Sequence, residues 1–163
     1  MRLSLLAAAA VLAVGTLPAV GTAATATGQF QVLLTINAEC QFISATDLDF
    51  GTTGVIQTGV AATSNIVVQC TSTTPYQIGL NAGLGAGATV ASRKMTGGTE
   101  TVDYTMYQDS GRTSVWGNTL GSDTVASTGT GAQQTFTVYG YVPPQTTPPP
   151  GSYLDTVQVT VTY

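Results

Sequence analysis

From residue 29 the chain alternates apolar and other side chains with period 2, the repeat of an extended strand. Gln29 to Ile36 reads Gln-Phe-Gln-Val-Leu-Leu-Thr-Ile. Phe30, Val32, Leu34 and Ile36 point one way, and Gln31, Leu33 and Thr35 point the other. No turn chemistry separates Ile36 from Ala38-Glu39-Cys40-Gln41-Phe42-Ile43, which is itself strand-like. The first comb therefore cannot fold back as a hairpin on its successor. At the other end Val157, Val159, Val161 and Tyr163 alternate in the same way. The pattern predicts a sheet protein that begins with a spare strand and ends on an uncovered one, arranged to lend one strand and to borrow another.

Between these ends, strand-like runs recur at 38–43, 48–50, 63–71, 76–81, 102–108, 113–116, 133–142 and 153–163, separated by turn residues. No segment after residue 26 has helical period. The stretch 83–98 opens Gly-Leu-Gly-Ala-Gly-Ala and reads as a loop with one short strand at most. The Gly/Thr/Ser-rich stretch 117–132 reads as an exposed, mobile connection. Residues 143–151 (Pro-Pro-Gln-Thr-Thr-Pro-Pro-Pro-Gly) are too short for a domain linker and read as a stiff polyproline crossover between two strands. The set predicts an all-β sandwich with Greek-key-like connections.

The start of the chain carries a different message. Arg2, the apolar run 3–14, the breakers Gly15 and Pro18 and the small-residue tract 21–26 have the form of a secretory signal over 1–24, with cleavage between about 23 and 26. The apolar run is too short for a membrane span, and no later stretch is long enough to cross a bilayer. The exported chain is then about 140 residues, enough for one core. Its cations are Arg93, Lys94 and Arg112 against eight acids, which leaves it five charges negative. Nucleic acid and anionic membranes are poor partners for such a chain. Few charges of either sign, with Thr and Gly in the polar positions, describe a neutral surface suited to subunit stacking. Export also delivers Cys40 and Cys70 to an oxidising compartment, where a disulfide is expected.

Little in the chain points to catalysis. There is no histidine, so no Ser/His or Cys/His nucleophile pair can be assembled, and zinc or copper loses its commonest ligand. No catalytic, cofactor or metal residue is assigned, and no cofactor is expected. Asp47 and Asp49 share a strand face but read as solvated residues at a strand edge, without the cleft that paired-carboxylate chemistry needs. Asp109-Ser110-Gly111-Arg112 reads as a turn. Trp116, Tyr139 and Tyr141 could line a sugar site, although lone aromatics in a sandwich more commonly belong to the core or its rim.

Taken in order, the landmarks form a group: Thr27-Gly28-Gln29-Phe30 with the comb, Cys40, Leu48-Asp49-Phe50-Gly51, Ile66-Val67-Val68-Gln69-Cys70 and Pro75-Tyr76-Gln77-Ile78-Gly79-Leu80. They continue through Arg93 and Met95, Tyr104-Thr105-Met106-Tyr107 with Asp109, and Val115-Trp116-Gly117. Tyr139-Gly140-Tyr141-Val142-Pro143 and Gly151-Ser152-Tyr153-Leu154-Asp155-Thr156-Val157 close the set. In this the chain resembles the spore coat protein U domain family, to which subunits of archaic chaperone–usher pili of the Csu type belong. The proline tract is denser than that pattern requires.

The resemblance implies an incomplete immunoglobulin-like Greek-key sandwich over 38–163, preceded by an N-terminal donor strand over 25–37. A hydrophobic groove would lie beside the C-terminal strand at Val157, Val159, Val161 and Tyr163. A periplasmic chaperone would fill it first. At the outer-membrane usher the donor strand of the next subunit would replace the chaperone, building a head-to-tail homopolymer at the cell surface for adhesion or biofilm formation. Phe30, Val32, Leu34 and Ile36 would be the anchors, worth roughly 6–12 kcal/mol together at about 1.5–3 kcal/mol each, before ordering costs. The alternatives are a coat protein deposited on a spore or cell surface and a lectin-like adhesin of the same fold.

Overall fold

The computed structural model describes residues 21–163. Most of the signal-peptide reading over 1–24 therefore lies outside the described residues. The chain divides after Leu34. Residues 21–34, on the N-terminal side of that division, carry neither strand nor helix and are exposed throughout. Everything regular belongs to the part that begins at Thr35, and among the described residues there is no helix.

Eight strands follow: β1 (Cys40–Ala45), β2 (Val60–Cys70), β3 (Pro75–Leu80), β4 (Arg93–Gly97), β5 (Glu100–Tyr107), β6 (Val125–Thr128), β7 (Gln133–Val142) and β8 (Val159–Thr162). They form a five-stranded sheet in the order β1-β2-β7-β5-β4 and a three-stranded sheet in the order β6-β3-β8. Every pairing is antiparallel. The alternation seen in the sequence decides which faces meet. Ile66, Val68 and Cys70 of β2, Val138 and Val142 of β7, and Val102, Tyr104 and Met106 of β5 turn toward Tyr76, Ile78 and Leu80 of β3. Trp116 completes this core at 1% exposure, with its indole N–H donating to the Ile78 carbonyl at 2.9 Å. It is a core residue, as lone sandwich aromatics usually are.

Cys40 and Cys70 face each other across the β1–β2 register and are joined as a disulfide. The proline-rich crossover runs from β7 in the large sheet to β8 in the small one. It is held by the Gln145 side chain, whose amide oxygen accepts from the Asp103 N–H (3.0 Å) while its amide nitrogen donates to the Asp103 carbonyl (2.9 Å).

Several elements depart from the sequence reading. The stretch 29–36 forms no strand, because a comb without a partner edge has no ladder to join. Residues 48–50 are irregular, although Leu48 and Phe50 still pack against the core. Of 113–116 only Val115 makes a bridge, to Tyr107, and the run 153–163 narrows to β8 with a single earlier bridge at Leu154. The glycine-rich stretch 83–98 holds the one short strand its reading allowed, β4, whereas β6 forms in what read as a mobile connection. The 117–124 turn is pinned there by Gln77, whose Oε1 accepts from the Gly121 N–H (2.8 Å) and the Thr124 hydroxyl (2.6 Å).

Candidate functional site

The feature that stands out is a pair of open sheet edges. β1 and β8 are each the last strand of their sheet on one side, and parts of the two lie within 8 Å of each other, Cα to Cα. On the β1 flank, Phe42 sits opposite Val68. Val68 is fully buried, yet Phe42 is 51% exposed. Beside it Ile43 lies at a register irregularity and is also exposed. On the β8 flank, Val159 pairs with Leu80 and Val161 with Ile78, both at the centre of the core. Val159 and Val161 themselves are only half-buried. Apolar residues on the inward face that stay partly exposed are what a sandwich edge looks like when no further strand covers it.

The wall on the β8 side is stiffened by a buried polar cluster. Arg93, 0% exposed, donates through Nε to the Asn81 carbonyl (2.8 Å) and through Nη1 to Val90 (2.7 Å). Its Nη2 reaches the Leu80 (3.0 Å) and Trp116 (2.7 Å) carbonyls. Burial lowers its pKa to about 10, opposed electrostatically by the nearby Tyr104, Asp155 and Asp123 side chains, so it remains a cation at neutral pH. Asp155 fixes the approach to β8. Its carboxylate accepts from Leu84 N–H (2.8 Å), from its neighbour Thr156 N–H (2.8 Å) and from the Tyr104 hydroxyl (2.7 Å). Burial, and then this bond to Asp155, push the Tyr104 hydroxyl well above the ordinary tyrosine range. Asn81 closes the set: its N–H donates to the Gln158 carbonyl (3.1 Å), and its side-chain oxygen accepts from the Gln158 N–H (2.9 Å).

Of the residues singled out in the sequence, Val157, Val159 and Val161 pack against the core beside the open edge, with Val157 just ahead of β8. Tyr163 lies past the end of β8 and is 60% exposed. Phe30, Val32 and Leu34 are each more than eight-tenths exposed, and Ile36 is 75% exposed. The sequence reading missed Phe42 as a groove residue and missed the Arg93–Asp155 cluster as its support. The signal for the cluster was a charged pair, Arg93-Lys94, within a chain that carries so few charges. Lys94 is accounted for at 2.7 Å from Asp103. Asp47 and Asp49 are exposed, and Asp49 accepts from the Gly51 N–H (2.7 Å). Among the described residues no group of His, Cys, Asp and Glu is placed to hold a metal ion, and no helix is long and apolar enough to cross a membrane.

Fold and open edge together define an incomplete immunoglobulin-like sandwich, lacking a strand next to its last one. The profile of the Spore Coat Protein U domain matches residues 26–160, and the chain belongs to that family. It is 34% identical over 156 residues to Protein U of Myxococcus xanthus, covering 86% of this chain and 87% of that protein. Among solved structures it is similar to the CsuC–CsuE chaperone–tip adhesion subunit pre-assembly complex from archaic chaperone–usher Csu pili of Acinetobacter baumannii. The TM-score is 0.59 at 24% identity, over 79% of this chain and 40% of that one, so this chain spans about two fifths of its length. A chain from a chaperone–usher pilus structure concerned with rod uncoiling matches at TM-score 0.53 and 13% identity, covering 91% of this chain and 99% of that one. At these identities the likeness is one of fold.

Proposed function

We propose that the protein is a structural subunit of a chaperone–usher surface pilus and polymerises by donor-strand exchange. The observation that carries the reading is the presence, in one chain, of open sheet edges and of a strand-patterned segment that joins no ladder. Phe42, Val159 and Val161 stand half-covered around the opening, while Phe30, Val32, Leu34 and Ile36 are exposed in a segment without a partner. Strand addition satisfies both at once: an extended segment gains a backbone ladder from the open edge and buries alternate side chains in the core. In this scheme residues 25–37 are the donor segment and 38–163 the acceptor domain. A periplasmic chaperone occupies the groove before a second copy does, and the usher is where they exchange. A donor that enters the groove of the next copy makes the contact heterologous, so it propagates as a filament. Display of the filament at the cell surface, for adhesion or biofilm formation, follows from that assembly route.

Val32→Asp with Leu34→Asp tests the donor role. Two unpaired carboxylates entering an apolar core cost several kcal/mol each, enough to cancel most of the anchor energy. The double variant should accumulate as folded, disulfide-bonded, chaperone-bound monomers and form no fibres. Loss of the variant from the periplasm would mean that the comb belongs to the subunit's own core. Normal fibres would remove the strand from the assembly scheme altogether.

A second reading, favoured by the match to the spore coat family and to Protein U, is a coat protein deposited on a cell or spore surface through the same strand exchange. Neighbouring chaperone and usher genes separate the two, since only the pilus reading requires an usher.

A further inference from the structure

The outer face of the large sheet, turned away from the groove, carries a second constellation. Along β2, Ala61 and Thr63 alternate with the buried Ser64 and Ile66. Along β7, Tyr139 and Tyr141 alternate with the buried Val138 and Val142. The register sets Thr63 beside Tyr139 and Ala61 beside Tyr141, so small side chains leave a shallow depression next to two tyrosines. It holds about 320 Å³ and is lined by Ala61, Thr63, Ser110, Arg112, Tyr139 and the Gly140 backbone, among others.

Arg112 is set deliberately at this depression. Its backbone is in the left-handed region (φ 58°), which side-chain-bearing residues seldom occupy. The turn that holds it there is tied by Asp109: the Arg112 N–H donates to the Asp109 carbonyl (3.1 Å), and the Asp109 carboxylate accepts from the Ser114 N–H (2.9 Å). The guanidinium lies 4.0 Å from the centre of the Tyr141 ring. That ring is itself confined over Gly59, where any side chain would collide with it.

What distinguishes the place is that its polar groups are unspent. Among the described residues the only ion pair is Lys94–Asp103, and the side chains of Arg112, Ser110, Thr63 and Tyr139 make no hydrogen bond to any other described residue. Their neighbours on the same face do: the Thr137 hydroxyl bonds to Asn65, and Gln69 donates to the Gly131 carbonyl. A pre-positioned fork donor ringed by three free hydroxyls and a tyrosine face suits one ligand chemistry. The fork grips a carboxylate through two parallel bonds. The hydroxyls exchange hydrogen bonds with a polyhydroxylated ring, and the tyrosine supplies an apolar surface for its C–H face. A protein carboxylate would use the fork and leave the hydroxyls idle. An open depression also accepts a unit within a chain rather than an enclosed small molecule.

We infer that the Arg112–Tyr139 depression is a binding site for a carboxylated sugar unit of an acidic polysaccharide, a local contact made by one guanidinium on a chain whose net charge repels extended polyanions. The site stands on one subunit's surface and does not depend on the polymerisation scheme. The test is titration calorimetry of the purified full exported chain with an oligomer of galacturonic acid, against a maltose-series oligomer of the same length as the neutral probe. Saturable binding of the acidic oligomer alone is expected. Arg112→Gln should weaken it at least about tenfold. Tyr139→Ala should do likewise, with Tyr139→Phe as the milder change should the alanine variant fail to fold. Lys94→Gln, which removes a cation elsewhere, should bind as the parent does. Absence of binding, equal binding of the neutral oligomer, indifference to Arg112→Gln, or an equal loss from Lys94→Gln would each overturn the proposal. So would sedimentation showing that Arg112→Gln alters self-association while leaving saccharide binding intact, which would place Arg112 in a contact between copies.

Discussion

A buried arginine with no carboxylate in direct contact would ordinarily be a liability, since a desolvated cation needs full compensation. Arg93 finds it in four backbone carbonyls, from Asn81, Val90, Leu80 and Trp116. Two of these come from the end of β3 and its successor, the backbone against which β8 lies. The side chain thus links the wall of the opening to the Trp116 segment, and no apolar residue can replace it without stranding acceptors. Arg93→Met keeps much of the volume but leaves those carbonyls unmet and should cost more than about 3 kcal/mol. Arg93→Lys, with three donors and no planar fork, should fall between. Urea denaturation of both variants, handled in the same complex as the parent, checks the order. Equal stability of Met and Arg would show that the cluster contributes nothing.

At the scale of elements, β1 is the vulnerable one. It is an edge strand, its hydrogen-bonded ladder to β2 slips between Phe42 and Ser44, and its side chains are nearly all exposed. The Cys40–Cys70 bond at its first register pair holds it to β2 across a sequence separation of 30 residues. Loop-closure entropy gives such a crosslink about 3–4 kcal/mol. Cys40→Ser with Cys70→Ser should therefore lower stability by about that amount. Hydrogen exchange should show the loss first at β1, with the β3–β6 pair keeping its protection. Uniform loss across both sheets would mean that β1 is an integral part of one cooperative core instead of a hinged wall. The same logic explains why β8 is so short: only Val159–Thr162 finds a partner, in β3, and the outer edge has none.

For the whole molecule, the proposal makes the free sandwich a folded domain with a strand-shaped vacancy, and its stability should depend on what is offered to it. A chain lacking everything before residue 38 should be marginal and prone to aggregate through its open edge. A synthetic peptide of residues 27–37 should rescue it. At a hundredfold excess over the dissociation constant, linkage adds about 2.7 kcal/mol, read as a rise in the melting temperature. A peptide with Val32→Asp and Leu34→Asp should give no rise. If both peptides act alike, or neither does, the opening is not the place where the comb docks.

The period-2 alternation by itself already determined the all-β class, the absence of helical segments after residue 26, and the alternation at 29–36 and at 157–163. These follow from local geometry, because side chains on a strand can only alternate. The cysteine pair was legible for a chemical reason, two thiols in an exported chain. The rest needed the tertiary structure. The Gly/Thr/Ser-rich composition of 117–132 hid β6, because that strand exists only where the β3 ladder and Gln77 hold it. The strand-like pattern at 48–50 did not become strand, and that at 113–116 gave only the bridge of Val115 to Tyr107. Phe42 was one residue of a strand-like run, and only the fold sets it, half-exposed, opposite the buried Val68 on an edge strand. Arg93, Tyr104 and Asp155 were separate landmarks in the chain, and only folding brings them into one cluster. Which edge lacks a partner is a property of how two sheets close on each other, and that is decided by contacts between residues far apart in sequence.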